Sequence, residues 1–185
     1  MSAGVLGIQH LMRGLTEHGG LELAYKIVTN ETYPSWGYMI KKGATTIWEL
    51  WNGDTADPAM NSRNHVMLLG DLLIWFYEDL AGIKNDPSSV AFKKILMEPV
   101  FPEKLTHVDA SYVSPYGEIE SKWKRNGDKL IWNIAIPANT TATVKIPAKF
   151  NIKVDAGQAG VHSVDVSDGK LIVGLGSGKY TLQSE

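Results

Sequence analysis

GEIESKWKRNGDKLIWNIAI (117–136) alternates apolar and polar side chains on both sides of the turn sequence RNGD (125–128). Strict alternation over several residues is the pattern of a β-strand with one buried face. An Asn-Gly pair between two such runs favours a tight hairpin turn, because both central positions of that turn need a positive φ. The segment therefore predicts an antiparallel hairpin with strands at 117–125 and 129–136.

The same alternation continues outward through most of the C-terminal half. Further strands are predicted at 104–113, 141–147, 151–155, 161–165, 170–174 and 179–183. Short strands at regular spacing, separated by Gly, Pro, Asn and Asp, are typical of an antiparallel β-sandwich. Trp123 and Trp132 lie on the two hairpin strands, so we expect both rings to fill the interior of this sandwich.

The N-terminal half has the period of helices instead. Apolar residues recur at three- and four-residue spacing over 5–15 and again over 21–29, which predicts two helices. A third segment, 65–80, is apolar on most of its circumference and therefore predicts a helix that is buried between other helices. Asn61 or Ser62 is the expected N-cap of this third helix.

The change of period lies near residues 84–92, with no Gly/Ser-rich linker. We therefore predict a helical domain at 1–86 and a β-sandwich domain at 87–185. The expected fold class is α+β, with helices first and strands second.

Composition excludes several classes of function. The 185 residues are 44% apolar and 21% charged, which is ordinary for a globular protein. The net charge is −2 and the sequence has no stripe of Lys or Arg, so a nucleic-acid partner is not expected. The sequence contains no run of about 18 apolar residues, so no membrane span is predicted. The N-terminus does not resemble a signal peptide. The sequence has no cysteine, and its five histidines lack HxxxH or HExxH spacing, so neither a metal centre nor a cofactor is expected. The location of the protein in the cell stays open.

GATTIWELWNGD (43–54) places one carboxylate, Glu49, between two indoles, Trp48 and Trp51. Apolar C–H faces of a pyranose stack on aromatic rings, and a carboxylate beside them is placed to act on a glycosidic bond or on a water. From this local pattern alone, a surface Glu between two core indoles is the favoured interpretation.

Longer stretches of the sequence resemble a known family. The segments ETYPSWGYMIKKGATTIWELWNG (31–53), NSRNHVMLLGDLLIWFYEDLAGI (61–83) and ASYVSPYGEIESKWKRNGDKLIWNIAIPANTTATVKIP (110–147) are similar to the C-terminal part of bacterial α-L-rhamnosidases, glycoside hydrolase family 78. The motifs YPSW, GATTIWE, NHVM and PANTTATV occur in that order, which is far more specific than any one motif alone. The resemblance covers nearly the whole chain.

This resemblance implies a fold and a mechanism. The chain should contain the last helices of an (α/α)6 toroid followed by an antiparallel β-sandwich, and the enzyme should invert configuration at terminal α-L-rhamnosides. The family's general base lies in the motif that reads GATTIWE here, which implies that role for Glu49. A histidine that hydrogen-bonds rhamnose corresponds to His65 of NHVM. Trp36, Trp48 and Trp51 are the candidates for an aromatic wall against the sugar.

One part of the family pattern has no counterpart in the chain. The general acid of these enzymes, with the acidic residues that bind the sugar ring, lies in an upstream segment of the toroid that nothing here matches. Acid assistance to the departing oxygen contributes about 10²–10⁴-fold to the rate. We therefore expect this polypeptide to carry the base without the acid and to be close to inactive alone.

Two other functions remain open beside this enzyme fragment. The chain could be a non-catalytic module that holds a rhamnoside, or a partner that completes a toroid supplied by another chain. The expected partner in each case is a rhamnose-containing saccharide or glycoside, with no nucleic acid and no membrane. Because the 65–80 helix has too many apolar side chains for one sandwich face to cover, we also expect a homo-oligomer joined through the helical half.

Overall fold

The computed structural model describes residues 3–185 and contains two compact units. The first, called the helical unit, extends to Phe76, and the second, called the sandwich unit, begins at Tyr77. The helices and the antiparallel sheets follow each other in the order that the sequence predicts.

The helical unit contains four α-helices. They are α1 (Val5–Glu17), α2 (Leu21–Val28), α3 (Trp36–Lys41) and α4 (Val66–Ile74), and α4 continues as a π-helical stretch over Trp75–Leu80. Helices α1, α2 and α4 match the predicted segments, whereas the six-residue α3 was not predicted. Within residues 3–185, none of these helices is long and apolar enough to cross a membrane.

The expected N-cap of the long helix was wrong. His65 occupies the N-cap position of α4, without a side-chain cap hydrogen bond. Ser62 is instead part of an irregular ladder with the segment before it, and its Oγ accepts a hydrogen bond from Asn64 N at 3.2 Å. The side chain of Ser62 favours an N-cap by its local chemistry. A long-range backbone contact instead holds this residue away from the start of α4.

The sandwich unit has two sheets. Its strands are β1 (Ile83–Asn85), β2 (Lys94–Met97), β3 (His107–Ser114), β4 (Gly117–Asn126), β5 (Lys129–Ile136), β6 (Thr141–Pro147), β7 (Val161–Ser167), β8 (Lys170–Leu175) and β9 (Gly178–Gln183). One sheet has the order β1-β2-β6-β8-β7 and the other the order β3-β4-β5-β9. All neighbouring strands are antiparallel except β2 and β6, which are joined by a long connection through β3, β4 and β5 and can therefore run parallel.

The predicted hairpin forms the centre of this unit. Strands β4 and β5 pair with Trp123 opposite Trp132, and both indoles are fully buried, as predicted. The indole of Trp123 donates a hydrogen bond to Leu80 O at 2.8 Å, and that of Trp132 donates to Ser121 Oγ at 3.0 Å. Ser121 in turn donates to Ala81 O at 2.6 Å, so buried polar groups satisfy the carbonyls at the end of the π-helical stretch.

Two short strands and one absent strand are the main differences in this unit. Strands β1 and β2 have only three and four residues and no visible alternation, so they were not predicted. The segment predicted as a strand at 151–155 forms only an isolated bridge, between Ile152 and Ser184.

The compact units divide earlier than the predicted domain limit of 86/87. Strand β1 pairs with β2 of the sandwich, and Gly82 before it adopts a φ of +72° with Pro99 N only 2.2 Å from where a Cβ would lie. Because Glu98 N also donates to Gly82 O at 3.0 Å, the chain is bound to the sandwich sheet before the predicted limit is reached.

Candidate functional site

The candidate site lies in the loop between α3 and α4, residues 42–65, within the helical unit. Two segments of this loop lie side by side. Glu49 N donates to Ser62 O at 2.8 Å, and His65 N donates to Ile47 O at 2.8 Å. The predicted base and the predicted sugar-binding histidine are therefore held on neighbouring segments by backbone hydrogen bonds.

The carboxylate of Glu49 is half-buried and fixed by one of its oxygens. Its Oε2 accepts a hydrogen bond from Ser62 N at 3.0 Å. Among residues 3–185, Oε1 of Glu49 has no hydrogen-bond partner. One oxygen therefore sets the orientation of the carboxylate, while the other remains available to a water or a hydroxyl group.

Trp48 is the internal support of this loop. Its ring is 5% exposed, and the backbone of Gly53 lies so close that a Cβ there would be 2.8 Å from the indole. A further bond from Leu50 N to Asn61 Oδ1, at 3.2 Å, closes the loop beside Glu49. The WNGD sequence thus needs its glycine because the indole leaves no space for a side chain.

Trp36 and Trp51 pack edge to face, with ring centroids 5.3 Å apart. Trp36 is 2% exposed and its indole donates to Leu68 O at 3.3 Å, whereas Trp51 is half-buried and donates to Ala3 O at 2.9 Å. Burial therefore argues against Trp36 and Trp48 as an exposed aromatic wall and for a supporting role. The sugar-contact role of the three tryptophans stays a prediction.

His65 borders a pocket of about 370 Å³. Its ring is half-buried, and Nδ1 is a buried atom with no hydrogen-bond partner. Leaving such an atom unpaired costs free energy, so the arrangement favours a ligand group at this position. The pocket is also lined by Met39, Ile40 and Ile47, whereas Glu49 is not among its lining residues.

A second anchor of the loop was missed by sequence reasoning. The hydroxyl of Tyr38 on α3 lies 2.9 and 3.1 Å from the two carboxylate oxygens of Asp54, and Lys42 Nζ lies 3.5 Å from Asp54 Oδ2. The hydrogen bond to Asp54, with burial and the Asp54 charge, raises the pKa of the Tyr38 hydroxyl. Asp54 is part of the WNGD sequence, but nothing local identifies Tyr38 as its partner.

Family comparisons match both units. The model for the bacterial α-L-rhamnosidase six-hairpin glycosidase domain matches residues 1–80, and the model for the bacterial α-L-rhamnosidase C-terminal domain matches residues 82–160. These two ranges follow each other in the order of the helical and sandwich units.

Curated relatives give the same result. An α-L-rhamnosidase of Formosa agariphila is 40% identical over 84% of this chain and 17% of its own length. An α-L-rhamnosidase of Streptomyces avermitilis is 32% identical over 97% of this chain and 18% of its own, and one of Alteromonas sp. is 34% identical over 99% and 20%. The chain therefore spans 17–20% of the length of these relatives.

Solved structures match the whole chain. The α-L-rhamnosidase of Streptomyces avermitilis complexed with L-rhamnose has a TM-score of 0.87 and 31% identity, covering 100% of this chain and 18% of that one. The α-L-rhamnosidase of Dictyoglumus thermophilum has a TM-score of 0.86 and 32% identity, covering 100% and 21%.

Proposed function

The chain belongs to the bacterial α-L-rhamnosidase family, and we propose that Glu49 is the water-activating carboxylate of an enzyme that hydrolyses terminal α-L-rhamnosides with inversion. The observation that carries this proposal is the state of the Glu49 side chain. Ser62 N holds Oε2 at 3.0 Å, while Oε1 has no hydrogen-bond partner among residues 3–185. A general base needs this combination of a fixed orientation and an oxygen that can take a proton.

The proposed step transfers two protons and exchanges one bond at the anomeric carbon. Oε1 of Glu49 accepts a proton from a water, whose oxygen forms a bond to the anomeric carbon as the glycosidic C–O bond breaks. A carboxylic acid on the other side of the sugar ring protonates the departing oxygen. In an inverting enzyme the two carboxyl groups stand about 6.5–9.5 Å apart, which leaves room for the water.

We assign the proton donor to a residue outside these 185. Two other carboxylates lie in this loop: Asp54 is engaged by the hydroxyl of Tyr38 and by Lys42, and Asp57 Oδ1 accepts a hydrogen bond from Ala59 N at 2.9 Å. Loss of acid assistance lowers a rate by about 10²–10⁴-fold. The 185-residue polypeptide alone is therefore proposed to be nearly inactive on unactivated rhamnosides.

His65 and Trp51 are the proposed sugar contacts. The buried Nδ1 of His65 lacks a partner and can take a hydrogen bond from a sugar hydroxyl or donate one to it, depending on its tautomer. Trp51 keeps accessible surface while its indole N–H is held by Ala3 O at 2.9 Å. Trp36 and Trp48 are buried, so their proposed role is to hold Trp51 and the loop in position.

The test is a chimera in which the 185 residues of this chain replace the matching segment of the Streptomyces avermitilis enzyme. In an active chimera, Glu49→Gln is expected to lower kcat at least about 100-fold, because the amide cannot accept the proton of the water. Steady-state kinetics on an aryl α-L-rhamnoside provides the measurement. Glu17→Gln, at an exposed position on α1, is the matched control and should leave kcat unchanged. A Glu49→Gln chimera with near-normal kcat would show that the assignment is wrong.

The polypeptide alone gives an independent test of the acid. A dinitrophenyl rhamnoside has a leaving group that needs little protonation, so weak turnover is expected there and none is expected on a natural rhamnoside. Robust hydrolysis of the natural substrate by the purified 185 residues would place an acid inside them. Binding of rhamnose, without hydrolysis even of the dinitrophenyl rhamnoside, would favour the non-catalytic module instead.

We also propose that the helical unit associates with a second copy. Large apolar side chains lie exposed on it, at 37–81% of their accessible surface: Leu6, Leu23, Ile40, Val66, Leu69 and Leu73. Burial of apolar surface yields about 25 cal/mol per Å², so covering such side chains favours association.

A further inference from the structure

A groove of about 440 Å³ lies on the sandwich unit, where the β3–β4 turn, the end of β5 and the start of β9 meet. One wall is the ring of Tyr116, and its polar groups come from Glu118 and Glu120 on β4 and Lys179 on β9. The residues that line the groove belong to the sandwich unit, whereas the loop that carries Glu49 belongs to the helical unit. Its volume falls within the range of small-molecule sites, about 300–1,000 Å³.

Tyr116 is held in place on both its backbone and its ring. The hydroxyl of the buried Ser114 accepts a hydrogen bond from Tyr116 N at 3.2 Å and donates one to Gly117 O at 2.9 Å. Lys93 Nζ lies 5.1 Å from the ring centroid, and it also donates to Asn139 O. Tyr116 lines the groove, whereas Lys93 does not. The ring is 38% exposed, so a fixed aromatic surface remains accessible to a ligand.

Glycines and alanines make up part of the lining of the groove, together with Ile136 and Pro137. Gly117 and Gly178 adopt φ values of +124° and +150°, and an added Cβ would lie 3.2 Å from Pro137 Cβ or from the Tyr180 hydroxyl, respectively. Ala135 pairs with Glu120 on β4 and with Lys179 on β9. The missing side chains at Gly117 and Gly178 leave room for a sugar ring beside Tyr116.

The polar groups at the groove offer both acceptors and donors. Glu118 is exposed, and Glu120 is partly buried with its Oε1 3.0 Å from Lys122 Nζ. Lys179 is exposed on the opposite strand. Because Glu120 is paired with Lys122, the charges at the groove nearly balance, so an anionic ligand would gain little attraction there and would still lose its hydration. Carboxylates accept hydrogen bonds from hydroxyl groups and the ammonium donates them, so the set suits a neutral polyol.

We propose that this groove binds a neutral pyranose unit of a saccharide chain, with the apolar C–H face of the sugar on Tyr116 and its hydroxyls on Glu118, Glu120 and Lys179. A pyranose combines one apolar face with a rim of hydroxyls, and the groove combines an aromatic wall with a rim of acceptors and a donor. The proposal does not depend on the role of Glu49.

The test is a titration of the ¹⁵N-labelled 185-residue chain with a neutral rhamnosyl-glucose disaccharide. Saturable amide shifts are expected at Tyr116, Gly117 and Gly178. Tyr116→Ala is expected to weaken this binding about 3- to 10-fold through loss of the stacking surface. Tyr112→Ala is the matched control, because Tyr112 is 40% exposed in the same hairpin but does not line the groove. Galacturonic acid, an anionic sugar, is expected to bind several-fold more weakly.

The outcomes separate this proposal from that for Glu49. Shifts confined to 43–66 would overturn the groove and leave the proposed function standing. Equal affinity of the Tyr116→Ala chain and the unaltered chain, or equal affinity for the neutral and anionic sugars, would also overturn it. Shifts at Gly117 and Gly178 that disappear in Tyr116→Ala, in a chain whose Glu49→Gln chimera is fully active, would support the groove while the proposed function fails.

Discussion

The sandwich unit pairs its buried polar groups, whereas the helical unit leaves two of them without partners. In the sandwich, Ser121 lies between the Trp132 indole and Ala81 O, and the hydroxyl of Tyr180 donates to Gly176 O at 3.1 Å. In the helical unit, Nδ1 of His65 and Oδ2 of Asp71 are buried without a hydrogen-bond partner. Within residues 3–185, these two are the buried side-chain nitrogen and oxygen atoms that lack a hydrogen-bond partner.

Apolar surface divides between the units in a similar way. The sandwich encloses one continuous core in which Trp123, Trp132 and Phe150 are fully buried. Among the described side chains, the helical unit exposes nine large apolar ones in its 76 residues, whereas the sandwich unit exposes seven in 109, Val90 and Val113 among them. A structure with its polar groups paired and its core covered is complete by itself, whereas one with unpaired groups and open apolar faces needs a ligand or further protein. This difference agrees with the family, in which the helical residues match a six-hairpin domain.

The largest expected effect is self-association through the helical unit. A dimer with a Kd near ~1 μM corresponds to about 8 kcal/mol. Light scattering at micromolar concentration should give a dimer or a larger mass, and Ile40→Lys, at a residue that is 69% exposed, should shift the population toward monomer. Val166→Lys is the matched control, because Val166 is 65% exposed on the sandwich. A monomer mass for the unaltered chain would contradict the expectation that the helical unit covers its exposed apolar side chains by association.

A smaller effect is expected from opening the covered core of the sandwich. Trp132→Ala removes a fully buried indole and leaves the Ser121 hydroxyl without its donor, which should lower the free energy of unfolding by about 3–5 kcal/mol. The measurement is chemical denaturation followed by sandwich amide signals. Ile131→Ala, one residue earlier and 42% exposed, should cost much less. Equal losses for the two variants would mean that the sandwich core is not closed.

The smallest effect concerns the carboxyl of Asp71 in the helical unit, whose Oδ2 has no hydrogen-bond partner in residues 3–185. Burial raises the pKa of Asp71 above its ordinary 3.8, against the opposing charges of His10 and Arg13. A group with a raised folded-state pKa stabilises the fold fully below the unfolded pKa, and that contribution is lost as the pH rises through the folded-state pKa. The stability of the unaltered chain relative to Asp71→Asn should therefore fall as the pH rises from about 3 toward neutrality.

The unfolding of the helical unit, followed at several pH values, checks this expectation. Glu17→Gln at an exposed site should show no such trend relative to the unaltered chain. A constant difference between the Asp71→Asn chain and the unaltered chain across the range would mean that the carboxyl is not desolvated by folding.

Much of the secondary structure could be predicted from local pattern. The hairpin of β4 and β5 was predicted to within one residue, because alternation and an Asn-Gly turn act over short distances. Strands β1 and β2 were missed because they owe their conformation to pairing with each other and, for β2, with β6 far along the chain. The predicted strand at 151–155 failed for the converse reason, since only Ile152 finds a partner.

The candidate site was predictable in part. Its position in the loop was set by the motifs around Glu49 and His65, whose catalytic and sugar-binding roles remain predictions. No local pattern showed that Ser62 N would hold Glu49 or that Tyr38 would anchor Asp54. These contacts join residues 13 and 16 positions apart, and such pairing depends on how the loop folds back.

The sequence by itself determined the family, the order of helices and strands, and the alternation that buries Trp123 and Trp132. Those features follow from side-chain period and motif spacing, which are properties of neighbouring residues. Only the tertiary structure decided that Trp36 is buried and packs edge to face with Trp51, and that Tyr116 lines a groove. Burial and orientation depend on which distant segments pack against a residue, and period alone carries no information about them.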